Sequence, residues 1–272
     1  MDKLSVQKLL SQNFFHDSRL VAKLVKDAAI TSSDTVLEIG PGLGIITEEL
    51  IKTAGKVIAV ELDQNYFEML QSRFSQYHNL ELHHSNFLTF NLPCQSYKVF
   101  SNIPFRFTGD IIRKLLQAAN PPETANLIVQ KEAANKYLTP NLISVLFYPW
   151  FEFSFSRKFR REDFRPIPKV DIVLLQIKKR AIPLINSSNR KTYEDFVTYV
   201  FNQKKPHVIR LPKIPTQTSF HEWLDFFSKF LQEKNLLKLR RISGSATKLF
   251  LEQHKLQKIH RTRTNKNWKN YS

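Results

Sequence analysis

A chain of 272 residues, 42% hydrophobic and 12% aromatic, can bury one large core plus a smaller one, and it is too apolar to stay disordered. Forty-one Lys and Arg against 24 Asp and Glu leave a formal charge of +17, which argues against an enzyme of small neutral metabolites and for a polyanionic partner. The single cysteine, Cys94, excludes an internal disulfide framework and a zinc site of several thiolates, and no run of about 20 apolar residues marks a membrane span. The N-terminal MDKLSVQKLL lacks the apolar run of a secretory signal, so the expected location is cytoplasmic.

Residues 35–39 (TVLEI) form a β-branched run that stops at Gly40-Pro41-Gly42, after which 45–51 reads as a helix. Residues 56–60 (KVIAV) repeat the strand pattern, 65–77 carry apolar residues at helical spacing, and 80–83 form a third short strand. Further strands are expected at 98–101 and 126–130, separated by a helix at 109–118. This alternation predicts an α/β fold with at least five parallel strands covered by helices. Residues 150–158 (WFEFSFSRK) then alternate with period two and 170–178 (VDIVLLQIK) are rich in β-formers, which predicts an antiparallel pair at the sheet edge. After Pro183 strand patterns fade. Ser219 and Glu222 form a capping box, and Phe220, Trp223, Leu224, Phe227, Phe230 and Leu231 mark one face of the helix that follows. The expected domains are one of alternating strands and helices at 1–181, a small helical one at 182–253 fit for the polyanionic partner, and a basic, disordered tail at 254–272 with six Lys/Arg and no acid.

The chain has six glycines, and Gly40, Gly42 and Gly44 cluster at the end of the first strand. At that position of an open α/β sheet, glycines let the backbone turn tightly and approach a ligand, and the next helix offers free N–H groups. Glu61 ends the second strand, about 20 residues on, where a carboxylate can accept both hydroxyls of a ribose. A dinucleotide also wants an acid there, and a tight turn without any ligand is the plainer alternative. The spacing, however, is G-x-G-x-G preceded by Glu38, with no Lys or Arg in the turn to meet phosphate. Acidic Glu38 and Glu61 suit the cationic sulfonium of S-adenosylmethionine (SAM) better than a pyrophosphate.

Ser101-Asn102-Ile103-Pro104-Phe105 stands where a fourth strand ends. An exocyclic amine of adenine is a poor nucleophile because its lone pair is conjugated into the ring. An Asn102 side-chain oxygen and the Ile103 carbonyl can accept its two protons and localise that pair; Pro104 fixes the carbonyl's direction and Phe105 can stack on the base.

Six segments in order, Ser11-Gln12-Asn13-Phe14-Phe15, Glu38-Ile39-Gly40-Pro41-Gly42-Leu43-Gly44, Val60-Glu61-Leu62-Asp63, Asn86-Phe87-Leu88, Asn102-Ile103-Pro104-Phe105 and Phe164-Arg165-Pro166-Ile167-Pro168-Lys169-Val170-Asp171, resemble the motifs of the ribosomal RNA adenine N6-methyltransferases. That family holds the small-subunit rRNA dimethyladenosine synthases and the Erm macrolide-resistance enzymes, and the resemblance covers roughly residues 10–179. It implies a Rossmann-like SAM-dependent methyltransferase sheet with a small C-terminal helical domain. It further implies that Gln12, Asn13 and Phe15 close over SAM, that Gly40 and Gly42 turn around its amino-acid part, and that Glu61 takes the ribose. Asn86 would meet the adenine of SAM and Asn102 would border both SAM and the target base. Phe105 and Phe164 would sandwich an adenine flipped out of its stack, with rRNA as the partner and no membrane. The family usually has Asp where Asn86 stands; an amide oxygen can still accept from the adenine amine, without charge assistance.

Isoleucine in Asn102-Ile103-Pro104-Phe105 resembles the Erm group, as do the short helical domain and basic tail, whereas Gly40-Pro41-Gly42-Leu43-Gly44 resembles the small-subunit enzymes. The preferred expectation is N6-methylation of an adenine in large-subunit 23S rRNA, with resistance to macrolides, lincosamides and streptogramin B, by a monomer. The alternatives are a 16S rRNA dimethyltransferase of ribosome biogenesis, a non-catalytic RNA-binding relative, and, more remotely, a DNA adenine methyltransferase. Other residues read as ordinary: His83 and His84 have no third ligand for a metal, Cys94 has no adjacent base, and the stripe from Phe220 to Leu231 is core packing. Basic clusters at Arg157-Lys158-Arg160-Arg161, Lys178-Lys179-Arg180, Lys204-Lys205 and Arg240-Arg241 can each be a solvated face, but their sum favours phosphate contacts.

Overall fold

The computed structural model describes residues 13–203, 209–233 and 235–252; Gln12, Lys204, Lys205 and the tail lie outside them. By internal contacts the chain forms two compact units, one running to Leu138 and resuming over Phe151–Ala181, the other comprising Thr139–Trp150 and the chain from Ile182 on.

The first unit is built on a seven-stranded sheet. Its strands are β2 (Thr35–Ile39), β3 (Lys56–Glu61), β4 (Leu80–His84), β5 (Lys98–Asn102), β6 (Thr124–Gln130), β7 (Phe151–Lys158) and β9 (Ile172–Lys179), in the order β4-β3-β2-β5-β6-β9-β7. The first five are mutually parallel, β9 runs antiparallel to β6, and β7 runs antiparallel to β9 at the edge. The expected Rossmann-like sheet with its antiparallel edge is therefore present. Central β2 buries Val36, Leu37, Glu38 and Ile39, as a parallel strand covered on both faces must. Helices α1 (Ser18–Asp27), α2 (Ile45–Thr53), α3 (Gln64–Arg73), α4 (Thr108–Gln117) and α5 (Lys131–Leu138) belong to this unit. Asp17 caps α1 by accepting from the N–H groups of Arg19 and Leu20, and Val21, Leu24 and Val25 form its buried stripe. A two-stranded piece, β1 (Phe14–Phe15) antiparallel to β8 (Phe164–Arg165), completes the unit.

Two of the boundaries that differ from the sequence pattern have a visible cause. The helix expected over 65–77 stops at Arg73. The Phe74 N–H still bonds back to Leu70, but Tyr77 turns onto the Phe74 carbonyl, and the buried Phe74 ring meets Tyr77 edge-on at 6.0 Å. Phe74 and Tyr77 prolonged the apolar rhythm while belonging to a turn. The strand expected from Val170 starts at Ile172, because Asp171 is held in the preceding loop by Lys158 and Arg161.

In the second unit α6 (Leu142–Phe147), α7 (Arg190–Asn202), α8 (Phe220–Gln232) and α9 (Leu236–Ile242) pack around aromatic rings. The Ser219–Glu222 capping box starts α8, and Trp223, Phe227 and Phe230 are buried against Phe196. Tyr193 donates to the Val145 carbonyl at 2.9 Å, which ties α7 to α6. Residues 139–150 thus pack with the later helices, although they lie inside the range 1–181 expected for the sheet domain. No helix among the described residues is long and apolar enough to cross a membrane.

Candidate active site

Parallel strands point their C-terminal ends to one edge, so the segments after β2, β3, β4 and β5 converge there. A cleft at this edge is lined by Asn13, Phe14, Phe15, Glu38, Gly40, Pro41, Ile45, Ile46, Asn102, Ile103 and Phe105, and it encloses about 20 Å³. The glycine turn is tightly constrained. Gly42 has φ +55, and a Cβ there would lie 2.3 Å from the Phe14 ring; Gly44, at φ +78, caps α2 with Leu70 2.5 Å from where its Cβ would be. Only glycine meets both demands.

Glu61 anchors this turn. Its carboxylate accepts from the Gly42 N–H at 2.9 Å and from the Leu62 and Asp63 N–H groups at 2.8 Å each, and it is 2% exposed. Burial raises its pKa despite those three donors. In this conformation it holds the backbone that surrounds the cleft, and only its remaining acceptor capacity is open to a ribose. Glu38 differs: it is fully buried in the cleft wall, and its Oε2 has no hydrogen-bond partner among the described residues. Burial, with repulsion from Glu61 added, pushes its pKa up to about 8.

Two side-chain amides face opposite ways. Asn102 donates Nδ2–H to the Asn13 carbonyl at 2.6 Å, which fixes the amide and leaves Oδ1 as its remaining acceptor. Asn86 accepts the Leu88 N–H on one lone pair of Oδ1 at 2.9 Å, which leaves a second lone pair and the NH2 group for other partners. The oxygen expected to receive an adenine amine at Asn86 therefore also holds its own turn. Asn86 is also not among the cleft-lining residues; it follows β4, where the Ser85 N–H bonds to the Glu61 carbonyl at 2.8 Å. Lys114 on α4 donates to the Phe87 carbonyl at 2.7 Å and to that of Phe90, clamping this turn.

Phe105 is half-buried and lines the cleft. Phe164 corrects the sequence reading, because it has no exposed surface: its ring lies 4.4 Å from Phe15 and 5.7 Å from Phe159, inside the core. Pairing of β1 with β8 puts it there, so no sandwich with Phe105 is formed in this conformation. Phe15 is likewise core, 3% exposed, while Phe14, not singled out earlier, packs on Gly42 and meets Tyr66 edge-on at 5.9 Å. Its position in the Ser11–Phe15 segment was the available clue.

Among the candidate phosphate contacts, Lys158 and Arg161 share Asp171 at 3.2 and 3.1 Å, Arg160 pairs with Asp163 at 3.4 Å, and Arg157 lies over the Phe159 ring. Such exposed pairs are weak and exchange readily. Arg240 and Arg241 are exposed at the end of α9. His83 bonds to Glu81 and His84 to the Leu62 carbonyl; among the described residues no group of three or more His, Cys, Asp or Glu is placed to hold a metal.

A sequence profile described as ribosomal RNA adenine dimethylase matches residues 3–255. The chain belongs to this family. Among curated members of the dimethylase family, an rRNA adenine N-6-methyltransferase of Saccharopolyspora erythraea is 32% identical over 72% of the chain, which spans 52% of that relative's length. A ribosomal RNA small subunit methyltransferase A of Thermotoga neapolitana is also 32% identical, over 74% of the chain and 78% of the relative. The crystal structure of the 23S rRNA methyltransferase ErmE aligns with a TM-score of 0.71 at 27% identity, covering 80% of this chain and 99% of that one. A dimethyladenosine transferase from Plasmodium falciparum shares the fold, with a TM-score of 0.67 at 19% identity over 81% of this chain and 98% of the other. The family assignment makes the chain a SAM-dependent rRNA adenine methyltransferase.

Proposed function

We propose that this dimethylase-family chain methylates N6 of an adenine in 23S rRNA, as a monomer working on a base flipped from a loop or hairpin, and so confers macrolide, lincosamide and streptogramin B resistance. The observation that carries the chemistry is the orientation of Asn102. Its amide is held by the Asn13 carbonyl with the oxygen left over, and it shares the cleft with Phe105 and Glu38. SAM, when bound, supplies a methyl group on a cationic sulfur. The residues present fit that group: the partnerless Glu38 Oε2 in the cleft wall is complementary to a cation, and a cation beside it offsets the cost of ionising a buried carboxyl. Gly40 and Gly42 give the amino-acid part close approach to backbone, and Glu61 holds the turn that shapes it.

Asn102 Oδ1 then accepts one proton of the target amine and the Ile103 carbonyl the other, drawing the nitrogen lone pair out of conjugation, while Phe105 holds the ring plane. The amine proton released on transfer leaves to solvent, since the sulfonium is a good leaving group and needs no strong base. Arg157, Lys158, Arg160 and Arg161 on the sheet unit, together with Lys204, Lys205, Arg240 and Arg241 in the helical domain 182–253, serve the phosphates.

The large-subunit target rests on the resemblance of Asn102-Ile103-Pro104-Phe105 to the Erm group and on the likeness to ErmE. A small-subunit target is the second reading, favoured by the Gly40–Gly44 turn and by relatives such as that of Thermotoga neapolitana. Tritium transfer from SAM to protein-free 23S rRNA, compared with small ribosomal subunits, separates them. Label in the first alone supports the proposal, and label in the second alone replaces it with the alternative.

A further inference from the structure

The sheet register carries a line from Asn102 to the far edge. Asn102 pairs with Ile128 on β6, Ile128 with Leu174 on β9, and Leu174 with Arg157 on β7. Arg157 thus lies on the same rung as Asn102, three strand spacings away, or about 14 Å. Phe155 occupies the next rung, opposite Leu175. It is 41% exposed on an edge strand, whose open side a sequence normally blunts with polar or charged residues.

A single exposed apolar side chain needs no explanation, but this one has particular surroundings. Phe151, Phe153 and Phe155 alternate onto one face of β7; the first is buried and the second stacks on Tyr137 of α5 at 5.6 Å, while Phe155 stays uncovered. Its neighbours along the strand are the small, exposed Ser154 and Ser156. After a bulge between Phe155 and Arg157, Arg157 pairs with Leu174 and so faces away from Phe155, over the Phe159 ring, whereas Lys158, opposite Val173, returns to the face of Phe155, followed by Arg160 with its side chain 84% exposed. An uncovered ring with an ammonium on its own face and an exposed guanidinium close along the chain is the composition of a single-strand platform, where aromatic faces stack bases and cations track phosphates.

We propose that Phe155 is a second nucleobase platform, which stacks an unpaired base of the same RNA strand a few nucleotides from the target while Lys158 and Arg160 meet its phosphates. This rests on the reading of the cleft as the place where the target adenine is methylated, and it extends the RNA contact along the sheet edge. The chain's charge of +17 supplies the complementarity to an RNA occupant.

The test measures binding of a fluorescein-labelled, adenine-containing RNA hairpin with a single-stranded loop, by anisotropy, alongside kcat and KM for methyl transfer to 23S or small-subunit rRNA. Phe155→Ala is expected to weaken hairpin binding and raise the RNA KM by about 5- to 150-fold, with kcat and SAM affinity unchanged. Phe155→Tyr is expected to stay within about twofold of the parent and Phe155→Leu to resemble Phe155→Ala, because stacking needs a π face. Unchanged RNA affinity in Phe155→Ala overturns the proposal, as does a parental RNA affinity and KM in Phe155→Leu, which would reduce the residue to packing. If the parent protein binds the hairpin in a Phe155-dependent way yet transfers no methyl group to either rRNA, the platform stands and the methylation reading fails.

Discussion

Replacing Glu38 by Gln tests whether the cleft wall holds a neutral carboxyl until a cation arrives. Glu38 is fully buried, and burial raises its pKa from 4.5 to about 8. The folded protein then keeps a proton that the unfolded chain has released, so stability is complete below about pH 4.5 and falls as pH rises towards about 8. At about 1.4 kcal/mol per tenfold, the cost above that range is about 5 kcal/mol, an upper bound because the site can relax. Glu38→Gln keeps the shape and cannot ionise. Urea unfolding should therefore show variant and parent nearly equal near pH 4.5, with the variant gaining by up to about 5 kcal/mol near pH 9. Glu61, whose pKa is also raised, adds the same slope to both proteins and cancels in the difference. Calorimetry should show the complementary loss, because the variant offers no charge to a cationic ligand: weaker SAM binding, and none of the proton release the parent shows near neutral pH. A stability difference that does not vary with pH refutes the reasoning.

Asn102→Ala should abolish methyl transfer while SAM affinity falls little, since the oxygen left by the Asn13 contact serves the target amine; Phe105→Tyr should retain activity, and both are read by tritium incorporation. Asn86→Asp should tighten SAM binding by calorimetry, because a carboxylate can accept the Leu88 N–H and an adenine amine together with charge assistance that the amide lacks; an unchanged dissociation constant removes Asn86 from the site. Gly42→Ala should cost about 1–3 kcal/mol in urea unfolding, from its positive φ and the collision with Phe14, and adding Phe14→Ala should recover part of that loss.

The sheet could be read from the sequence because its strands are buried on both faces and stop at turn residues, so that 35–39, 56–60 and 98–101 stand out as short β-branched runs. The clustered Gly40, Gly42 and Gly44 and the segment at Asn102 located the ligand edge for the same local reason. What escaped depends on contacts distant in sequence. Two-residue strands such as Phe14–Phe15 and Phe164–Arg165 carry no periodicity, and their pairing alone buries Phe164 and brings Phe14 onto Gly42. Which end of an amide is spent cannot be seen in Asn86 or Asn102 until Leu88 and Asn13 are placed beside them. Residues 139–150 lie within the sheet unit's sequence range, yet they pack with later helices through contacts such as Tyr193 to Val145.

The chemistry assigned to the cleft is tested most directly by identifying the modified nucleoside. After reaction with tritiated SAM and rRNA, the RNA is digested and its nucleosides are separated by chromatography. Label in N6-methyladenosine or N6,N6-dimethyladenosine, lost in Asn102→Ala, is the predicted result. Label on another position of adenine or on another base would contradict an amine aimed by Asn102.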